Sequence, residues 1–382
     1  MTSRKRLAVA LATAALLVSG VTTAVAQPAP AEQLRKDTEA LHALGVSGVQ
    51  ARMIGPDGRQ SVATSGTADL KTGRPVSPDG YFRMASTSKT LVAVVVLQLE
   101  AEGRLSLDDT VEHWLPGVVR GNGNDGSRIT LRRLLQHTSG IQDDLPGYTT
   151  PAEYYQQRYQ VHGSGELVAR AMAHAPVVGW AYSNTGYVLL DMVVQKAAGR
   201  PAHQEITDRV LRPLGLDRTR WTGTSPTLPR PHARAYEFFG PGARVDVTEQ
   251  IPVDHENLGW VTTTRDENLF FRALLSGRLL PARQMAEMKD TVDVTGLAQE
   301  LWPGGKYGLG LVQRPLKSCN SSYWSHEGGD GGYITLNGVT EDGTRSVVVS
   351  MSEARRDRMM EQEEAASALI EHALCGAHAG AG

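Results

Sequence analysis

Residues 82–99 constrain the fold of this chain most strongly. They include Ser86 and Lys89, three residues apart, so that in a helix a hydroxyl and an ammonium lie on one face, about one turn apart. Residues 91–99 are nearly all apolar, and a helix that is apolar on almost every side is typical of a protein interior. The segment therefore predicts a buried helix with Ser86 at its amino end. Unpaired backbone N–H groups there favour developing negative charge and suit a nucleophile.

The composition is that of an ordinary soluble globular protein. The chain has 382 residues, of which 41% are hydrophobic and 21% charged, and its net charge is −2. It shows no basic stripe, so nucleic acid is not an expected partner. His326 and Glu327 begin a pattern found in zinc hydrolases, but Asp330 replaces the second histidine that the pattern needs. We therefore predict no metal, no cofactor and a monomer.

The first 26 residues have the pattern of a secretory signal peptide. Residues 4–6 are basic, residues 7–18 are apolar, and residues 24–26 form a small-residue cleavage site. The apolar stretch is too short and too rich in alanine for a membrane span, and no other run is long enough to cross a bilayer. The pattern predicts a secreted, extracellular protein whose mature chain begins at Gln27.

The chain has two cysteines, Cys319 and Cys375. In an exported protein an even pair of cysteines favours a disulfide over a metal site. Two buried free thiols are the alternative.

Strand patterns lie towards both ends of the chain, and helical patterns fill its middle. The simplest fold is therefore α+β, with one antiparallel sheet built from both chain ends, flanked by helices, and a mostly helical inserted domain. The predicted strands are residues 46–54, 60–68, 307–312, 333–339 and 346–351. The predicted division is a signal peptide of 1–26, an α/β domain of 27–108 and 235–375, a helical domain of 109–234 and a flexible tail of 376–382.

Two further segments carry reactive groups. Tyr182 and Asn184 are two residues apart, so in an extended loop the phenol and the carboxamide point the same way. The phenol can take or give a proton, and the amide can hold a substrate carbonyl and Lys89. Glycines in residues 326–332 allow a ligand to approach the backbone, so the N–H groups of Ser86 and Gly329 can form an oxyanion hole. Taken singly, each pattern also fits an ordinary helix start or turn.

In this order in an exported chain, Ser86-x-x-Lys89, Tyr182-x-Asn184 and a His-x-Gly motif at residues 326–328 resemble the motifs of the serine β-lactamase and penicillin-binding-protein superfamily. The versions here are similar to the branch that holds class C β-lactamases, secreted D-alanyl-D-alanine carboxypeptidases, D-aminopeptidases and esterases. Residues 134–141 and 306–311 also match family patterns. The resemblance covers residues 33–375 and is greatest to the carboxypeptidases, including the positions of the two cysteines.

The resemblance implies a β-lactamase/DD-peptidase-like fold and a role for each motif residue. It implies that Ser86 is the nucleophile of an acyl-enzyme mechanism and that Lys89 and Tyr182 share the general acid and base work. It also implies that Asn184 positions the substrate, that His326 supports the strand lining the site, and that the backbone N–H groups of Ser86 and Gly329 are the oxyanion donors. Together with these, we expect Glu327, Gly328, Gly329 and Arg314 to contact the substrate.

The chain departs from the carboxypeptidase pattern where the substrate's terminal carboxylate binds. Val312 replaces the arginine that holds this carboxylate, and Asp254 takes the place of a tryptophan in the site. Glu327 is expected to face the site together with Gly329, where it would repel a carboxylate. Arg314 shares a strand face with Val312, so it either substitutes for the missing arginine or pairs with Glu327. A solvated strand charge is the third alternative.

We therefore expect a secreted serine hydrolase of the D-alanyl-D-alanine carboxypeptidase type that acts on a peptidoglycan peptide or a related amide. A β-lactamase, an esterase and a D-aminopeptidase are the alternatives within the family, so the partner is a small peptide, amide, ester or β-lactam. A penicillin-binding or peptide-binding protein without turnover is the alternative of another class. Glu327 leads to the further hypothesis that substrates carry a free amine or lack a carboxylate.

Overall fold

The computed structural model of the protein describes residues 29–240 and 244–376. The predicted signal peptide of residues 1–26, and residues 377–382 of the predicted tail, lie outside this part of the chain. Across the described ranges, none of the helices combines the length and the apolar character that a membrane crossing requires.

Strands from both ends of the chain form one antiparallel sheet, as the sequence predicts. One of its inner strands, Ser346–Met351, pairs with Gly48–Ile54 on one side and with Tyr333–Thr340 on the other. The strands in spatial order are Val292–Asp293, Lys306–Tyr307, Val312–Leu316, Ser321–Ser325, Tyr333–Thr340, Ser346–Met351, Gly48–Ile54, Gln60–Asp69 and Arg74–Pro75, and Gly328–Asp330 pairs with Tyr333–Thr340 off this path.

Helices cover both faces of the central strands, which are buried along their whole length. Because side chains alternate along a strand, Val49 and Ala51 pack against the helices Pro30–Ala43 and Met359–Cys375. Arg52, next along the strand, faces the helix Thr264–Leu275, where its side-chain Nε donates a hydrogen bond to Thr264 Oγ1 at 3.3 Å. The predicted α+β fold with flanking helices is thus confirmed.

The middle of the chain is mostly helical, and the helices Ser88–Ala101 and Asn184–Ala198 pack together in the largest hydrophobic core. Several helices begin where a threonine side chain accepts a hydrogen bond from the first turn, as at Thr110, Thr130 and Thr150. The remaining α-helices are Val111–Trp114, Leu131–Leu135, Pro151–Gln157, Ser164–Ala171, Ala202–Ile206, Arg212–Leu214, His255–Leu258, Ala282–Met288 and Leu297–Leu301. The division into domains at residues 109 and 234 stays a prediction.

Three smaller sheets and five short helical turns complete the described fold. The sheets contain Tyr81–Arg83 with Trp260–Thr263 and Arg220–Trp221; Tyr236–Phe238 with Arg244–Asp246 and Glu353–Ala354; and Arg120–Gly121 with Asn124–Asp125. The turns are Ala85–Thr87, Gly126–Arg128, Thr207–Leu211, Lys317–Cys319 and Arg356–Arg358.

The strand predicted for residues 307–312 is wrong, because two strands meet there. Lys306–Tyr307 and Val312–Leu316 are joined by a tight connection in which Gly310 has a φ of +72°. A Cβ on Gly308 would lie 2.2 Å from the Met288 carbonyl oxygen, so the backbone approaches too closely for a side chain. The alternation of glycine and leucine resembles a strand pattern but serves this turn.

Cys319 and Cys375 form a disulfide, as predicted, so the alternative of two free thiols does not hold. The bond joins the short turn Lys317–Cys319 to the end of the helix Met359–Cys375.

Candidate active site

Ser86 lies in a short turn at the entrance to the buried helix. The 3₁₀ turn Ala85–Thr87 follows the strand Tyr81–Arg83 and precedes the helix Ser88–Ala101. The α-helix therefore begins two residues later than the sequence predicts. Within residues 80–97, Ser86 is the only residue that is not buried. Ala85 has a φ of +50°, a conformation that costs free energy for a residue with a side chain and that often accompanies functional sites.

Lys89 joins the hydroxyl and the carboxamide of two distant segments. Its Nζ lies 3.0 Å from Ser86 Oγ and 2.7 Å from Asn184 Oδ1. The lysine side chain is buried, and its Nζ lies 5.1 Å from the centre of the Tyr182 ring. The fold thus brings together the hydroxyl, the amine, the phenol and the carboxamide that the sequence singles out. A nucleophile within hydrogen-bonding distance of a basic group is the arrangement that covalent catalysis requires.

Asp143 determines which way the Asn184 carboxamide points, and the sequence does not predict its role. Its Oδ2 accepts a hydrogen bond from Asn184 Nδ2 at 2.6 Å, while its Oδ1 accepts from the backbone N–H and the hydroxyl of Thr185. Because the carboxylate only accepts, the amide nitrogen faces Asp143 and the amide oxygen faces Lys89. The nearby family pattern at residues 134–141 was the only hint that this loop lies at the site.

The strand Gly328–Asp330 lies directly against the turn Ala85–Thr87 that carries Ser86. Thr87 Oγ1 donates a hydrogen bond to the His326 carbonyl oxygen at 3.2 Å. A Cβ added at Gly328 would lie 2.1 Å from the Met84 carbonyl oxygen, whereas at Gly329 the nearest atom would be 3.9 Å away. The glycine at 328 thus allows the two backbone segments to approach each other, and Gly329 is next along the strand.

His326 supports this strand from inside the protein. Its side chain is only 1% exposed, and its backbone N–H and carbonyl both bond to the side-chain amide of Asn337. Burial, followed by the charge of Lys89, lowers the pKa of His326 to about 3. The same two causes lower the pKa of His137, another buried histidine of the site, well below its usual range. Both rings are therefore neutral near pH 7.

Arg314 and Glu327 pair with each other. Arg314 donates to Glu327 and, at 3.0 Å, to Glu363, while Trp302 Nε1 donates to the other oxygen of Glu327 at 2.7 Å. Since the arginine is only 5% exposed, the alternative of a solvated strand charge is wrong. The guanidinium is held between Glu327 and the C-terminal helix. Val312, in the position of the missing arginine, is buried among aromatic side chains.

Asp254, which the sequence places where the family has a tryptophan, is buried and caps a short helix. Its Oδ1 accepts from the Asn257 backbone N–H at the start of His255–Leu258. Burial raises the pKa of Asp254 to about 6, and the charge of Lys89 opposes this rise. In residues 29–240 and 244–376, no group of three or more His, Cys, Asp or Glu side chains is arranged to hold a metal ion.

The comparisons with known proteins agree with this geometry. The family described as Beta-lactamase matches residues 34–371. The solved D-stereospecific amidohydrolase from Streptomyces sp. is 37% identical, with a TM-score of 0.77, and the match covers 87% of this chain and 98% of that one. The D-amino acid amidase from Ochrobactrum anthropi SV3, solved with L-phenylalanine amide, is 26% identical, with a TM-score of 0.75, and the match covers 89% and 97%.

Curated relatives match over shorter stretches. Penicillin-binding protein 4* of Bacillus subtilis (strain 168) is 32% identical over 161 residues, which are 41% of this chain and 34% of that protein. The chain thus spans about a third of the length of that relative.

Proposed function

This chain belongs to the Beta-lactamase family of serine hydrolases, and on that premise we propose that it hydrolyses D-amino acid amides and related amides or esters through an acyl-enzyme on Ser86. The observation that carries the proposal is the contact of Lys89 Nζ with both Ser86 Oγ and Asn184 Oδ1, at 3.0 and 2.7 Å.

In the first half-reaction, Ser86 Oγ attacks the substrate carbonyl carbon, and the hydroxyl proton passes to the site formed by Lys89 and Tyr182. The carbonyl oxygen becomes an oxyanion, which accepts hydrogen bonds from the backbone N–H groups of Ser86 and Gly329. The same site then gives a proton to the leaving nitrogen. The C–N bond breaks, ammonia or an amine departs, and the acyl group stays on Ser86.

In the second half-reaction, a water molecule attacks the acyl carbon. The proton of the water passes to the site formed by Lys89 and Tyr182 and returns to Ser86 Oγ as the ester bond breaks. The products are the free carboxylic acid and the original enzyme. Asn184, held by Asp143, keeps Lys89 directed at Ser86 in both steps.

The charges around the leaving group favour an amide over a peptide that ends in a carboxylate. Val312 offers no charge, and the guanidinium of Arg314 is already shared by Glu327 and Glu363. A substrate carboxylate near Glu327 would meet an arginine that is already paired, which is unfavourable where water is partly excluded. The D-stereospecific amidohydrolase and the D-amino acid amidase found by comparison support the same choice.

The test is an activity panel on the purified protein and on Ser86→Ala. The panel contains D-phenylalanine amide, its L-enantiomer, a D-alanyl-D-alanine peptide, a cephalosporin and a short acyl ester. We expect the D-amide to have the highest kcat/KM of the amide and peptide substrates. Ser86→Ala should lower its kcat by about 10⁴-fold or more, since the loss of a nucleophile removes the covalent route.

Controls and mass spectrometry separate the alternatives. Lys89→Ala should abolish turnover, while Lys289→Ala, whose lysine pairs with Glu341 at the surface, should not. An adduct of an activated ester on Ser86 supports the acyl-enzyme. If no substrate turns over and no adduct forms, the proposal is wrong, and the alternative of a binding protein without turnover is favoured. If the D-alanyl-D-alanine peptide is preferred, the leaving-group argument alone is wrong.

A further inference from the structure

Three buried side chains form a continuous chain of hydrogen bonds behind the candidate active site. Ser183 N–H donates to His137 Nδ1 at 3.1 Å, and His137 Nε2 lies 3.1 Å from the Tyr307 hydroxyl. The same hydroxyl lies 2.8 Å from His326 Nε2, and His326 Nδ1 lies 2.8 Å from the Glu327 carbonyl oxygen. The three rings are each no more than 1% exposed.

The two ends of this chain fix the position of the proton on each histidine. A backbone N–H only donates, so His137 Nδ1 carries no hydrogen, and the neutral ring must carry its hydrogen on Nε2. A backbone carbonyl only accepts, so His326 Nδ1 carries a hydrogen and Nε2 of the neutral ring accepts. Tyr307 lies between them and must accept from His137 and donate to His326. One order of protons therefore satisfies every contact.

The surrounding charges keep both histidines neutral. Lys89 is the cation that faces both rings, and burial acts in the same direction on the pKa of each. The other titratable groups in contact with the chain are the phenols of Tyr182 and Tyr187. Tyr187 donates its hydroxyl to the Leu135 carbonyl oxygen at 2.9 Å. It also shares a side-chain hydrogen bond with Tyr307, in which its oxygen is the acceptor.

This chain of hydrogen bonds connects the two polypeptide segments that lie on either side of Ser86. Ser183 lies between Tyr182 and Asn184, and the His137 ring packs on the Tyr182 ring with a centroid distance of 4.2 Å. At the other end, Glu327 is two residues from Gly329, the proposed oxyanion donor. We propose that Tyr307 is a positioning residue that accepts from His137 and donates to His326, whose opposite tautomers complement it, and thereby holds the Tyr182 loop and the Gly329 strand in place relative to each other.

The tautomers can be measured without any substrate. In protein labelled with ¹⁵N-histidine, the ring nitrogen shifts should show the hydrogen of His137 on Nε2 and that of His326 on Nδ1, with neither ring titrating between pH 5 and 8. If His326 carries its hydrogen on Nε2, or if either ring titrates in this range, the proposal is wrong. The measurement stands even if the proposed function fails, because it needs no turnover.

A kinetic test of the role of Tyr307 rests on the proposed function and compares two matched variants. Tyr307→Phe removes the hydroxyl that joins the two histidines and should lower kcat by roughly tenfold to a hundredfold, as expected for misplaced reacting groups, with little change in KM. Tyr154→Phe removes a buried hydroxyl elsewhere in the fold, one that donates to the Glu249 carbonyl oxygen at 3.0 Å, and should change kcat less. In Tyr307→Phe the ¹⁵N shifts of both rings should change. Unchanged shifts and unchanged kcat would overturn the proposal. If Tyr307→Phe does not fold, the ¹⁵N measurement of the tautomers in the wild-type protein tests the proposal instead.

Discussion

Asp143 accepts a hydrogen bond from Asn184 Nδ2 at 2.6 Å and so turns the oxygen of the Asn184 carboxamide towards Lys89. An amide can rotate by half a turn with little change in shape, but it then exchanges a donor for an acceptor. Rotation of Asn184 would place two donors against each other at Lys89. The carboxylate therefore determines a contact of the lysine that it does not itself touch.

Asp143→Asn should weaken this arrangement without changing the size of the side chain. Since the new amide can donate as well as accept, Asn184 loses its fixed orientation, and we expect kcat/KM to fall by about tenfold to a hundredfold. Steady-state kinetics on the D-amide measures the effect. Asp144→Asn is the matched control, because Asp144 pairs with Arg170 and His174 and has no contact with Asn184. Equal effects of the two variants would contradict the role of Asp143.

The local part of the site could be predicted from the sequence, and the part made by distant contacts could not. Ser86 and Lys89 are three residues apart at the entrance to one helix, so their proximity follows from helix geometry. Asp143 meets Asn184 across 41 positions of the chain, and His137 meets Tyr307 across 170. No periodic pattern reports such pairs. The resemblance identified the segments that carry them but not their contacts.

Gly328 and Gly329 should respond oppositely to the same substitution. Gly328→Ala places a Cβ 2.1 Å from the Met84 carbonyl oxygen, so the strand must move away from the turn Ala85–Thr87. A shift of this kind should lower kcat/KM by about a hundredfold. Gly329→Ala meets no atom closer than 3.9 Å and keeps its backbone N–H, so most of the activity should remain. Kinetics and thermal unfolding of both variants test this, and an inactive, folded Gly329→Ala would contradict it.

Strand alternation also predicts the face on which Arg314 lies, but it does not predict the partners of Arg314. The sequence is compatible with a carboxylate-binding arginine, an ion pair with Glu327 or a solvated charge. In the structure the arginine pairs with Glu327. Glu363, its other partner, lies 49 positions further along the chain on the C-terminal helix. How that helix packs on the sheet depends on tertiary contacts, which strand periodicity does not encode.

Glu327→Gln should make the site more tolerant of a substrate carboxylate. The variant removes one negative charge near Val312 and leaves Arg314 with a single acidic partner, Glu363. We expect the ratio of kcat/KM for the D-alanyl-D-alanine peptide to that for the D-amide to rise about fivefold, the effect of roughly 1 kcal/mol of charge interaction. Glu363→Gln removes the ion pair of Arg314 with the C-terminal helix but keeps the charge of Glu327, so it should have a smaller effect. A ratio that does not change in Glu327→Gln would contradict the argument.

The disulfide should contribute to stability and not to catalysis. It closes a loop over a sequence separation of 56 residues. Chain-entropy arithmetic gives about 4 kcal/mol for a loop of this size. The double variant Cys319→Ser/Cys375→Ser should lower the free energy of unfolding by about that amount while kcat of the folded protein is kept. Denaturant unfolding with and without a reductant measures the first effect. A large loss of kcat under folding conditions would contradict the second.

Glu267 should make stability depend on pH. Its carboxyl is only 1% exposed and accepts a hydrogen bond from Asn337 Nδ2, and burial raises its pKa to about 8. The folded protein therefore holds a proton that the unfolded chain releases above about pH 4.5. Stability from this group is complete below that pH, falls as the pH rises, and levels off above about pH 8. The loss is on the order of 5 kcal/mol.

Glu267→Gln keeps the acceptor for Asn337 and cannot ionise, so the free energy of unfolding of the variant should fall less between pH 5 and 8 than that of the wild type. The buried histidines give both proteins the same opposing slope below about pH 6.5, so the difference between the two proteins isolates Glu267. Urea unfolding at pH 5, 6, 7 and 8 measures this difference. Glu361→Gln, on the exposed side of the C-terminal helix, is the control and should run parallel to the wild type. A difference between Glu267→Gln and the wild type that stays constant with pH would mean that Glu267 is ionised in the folded protein.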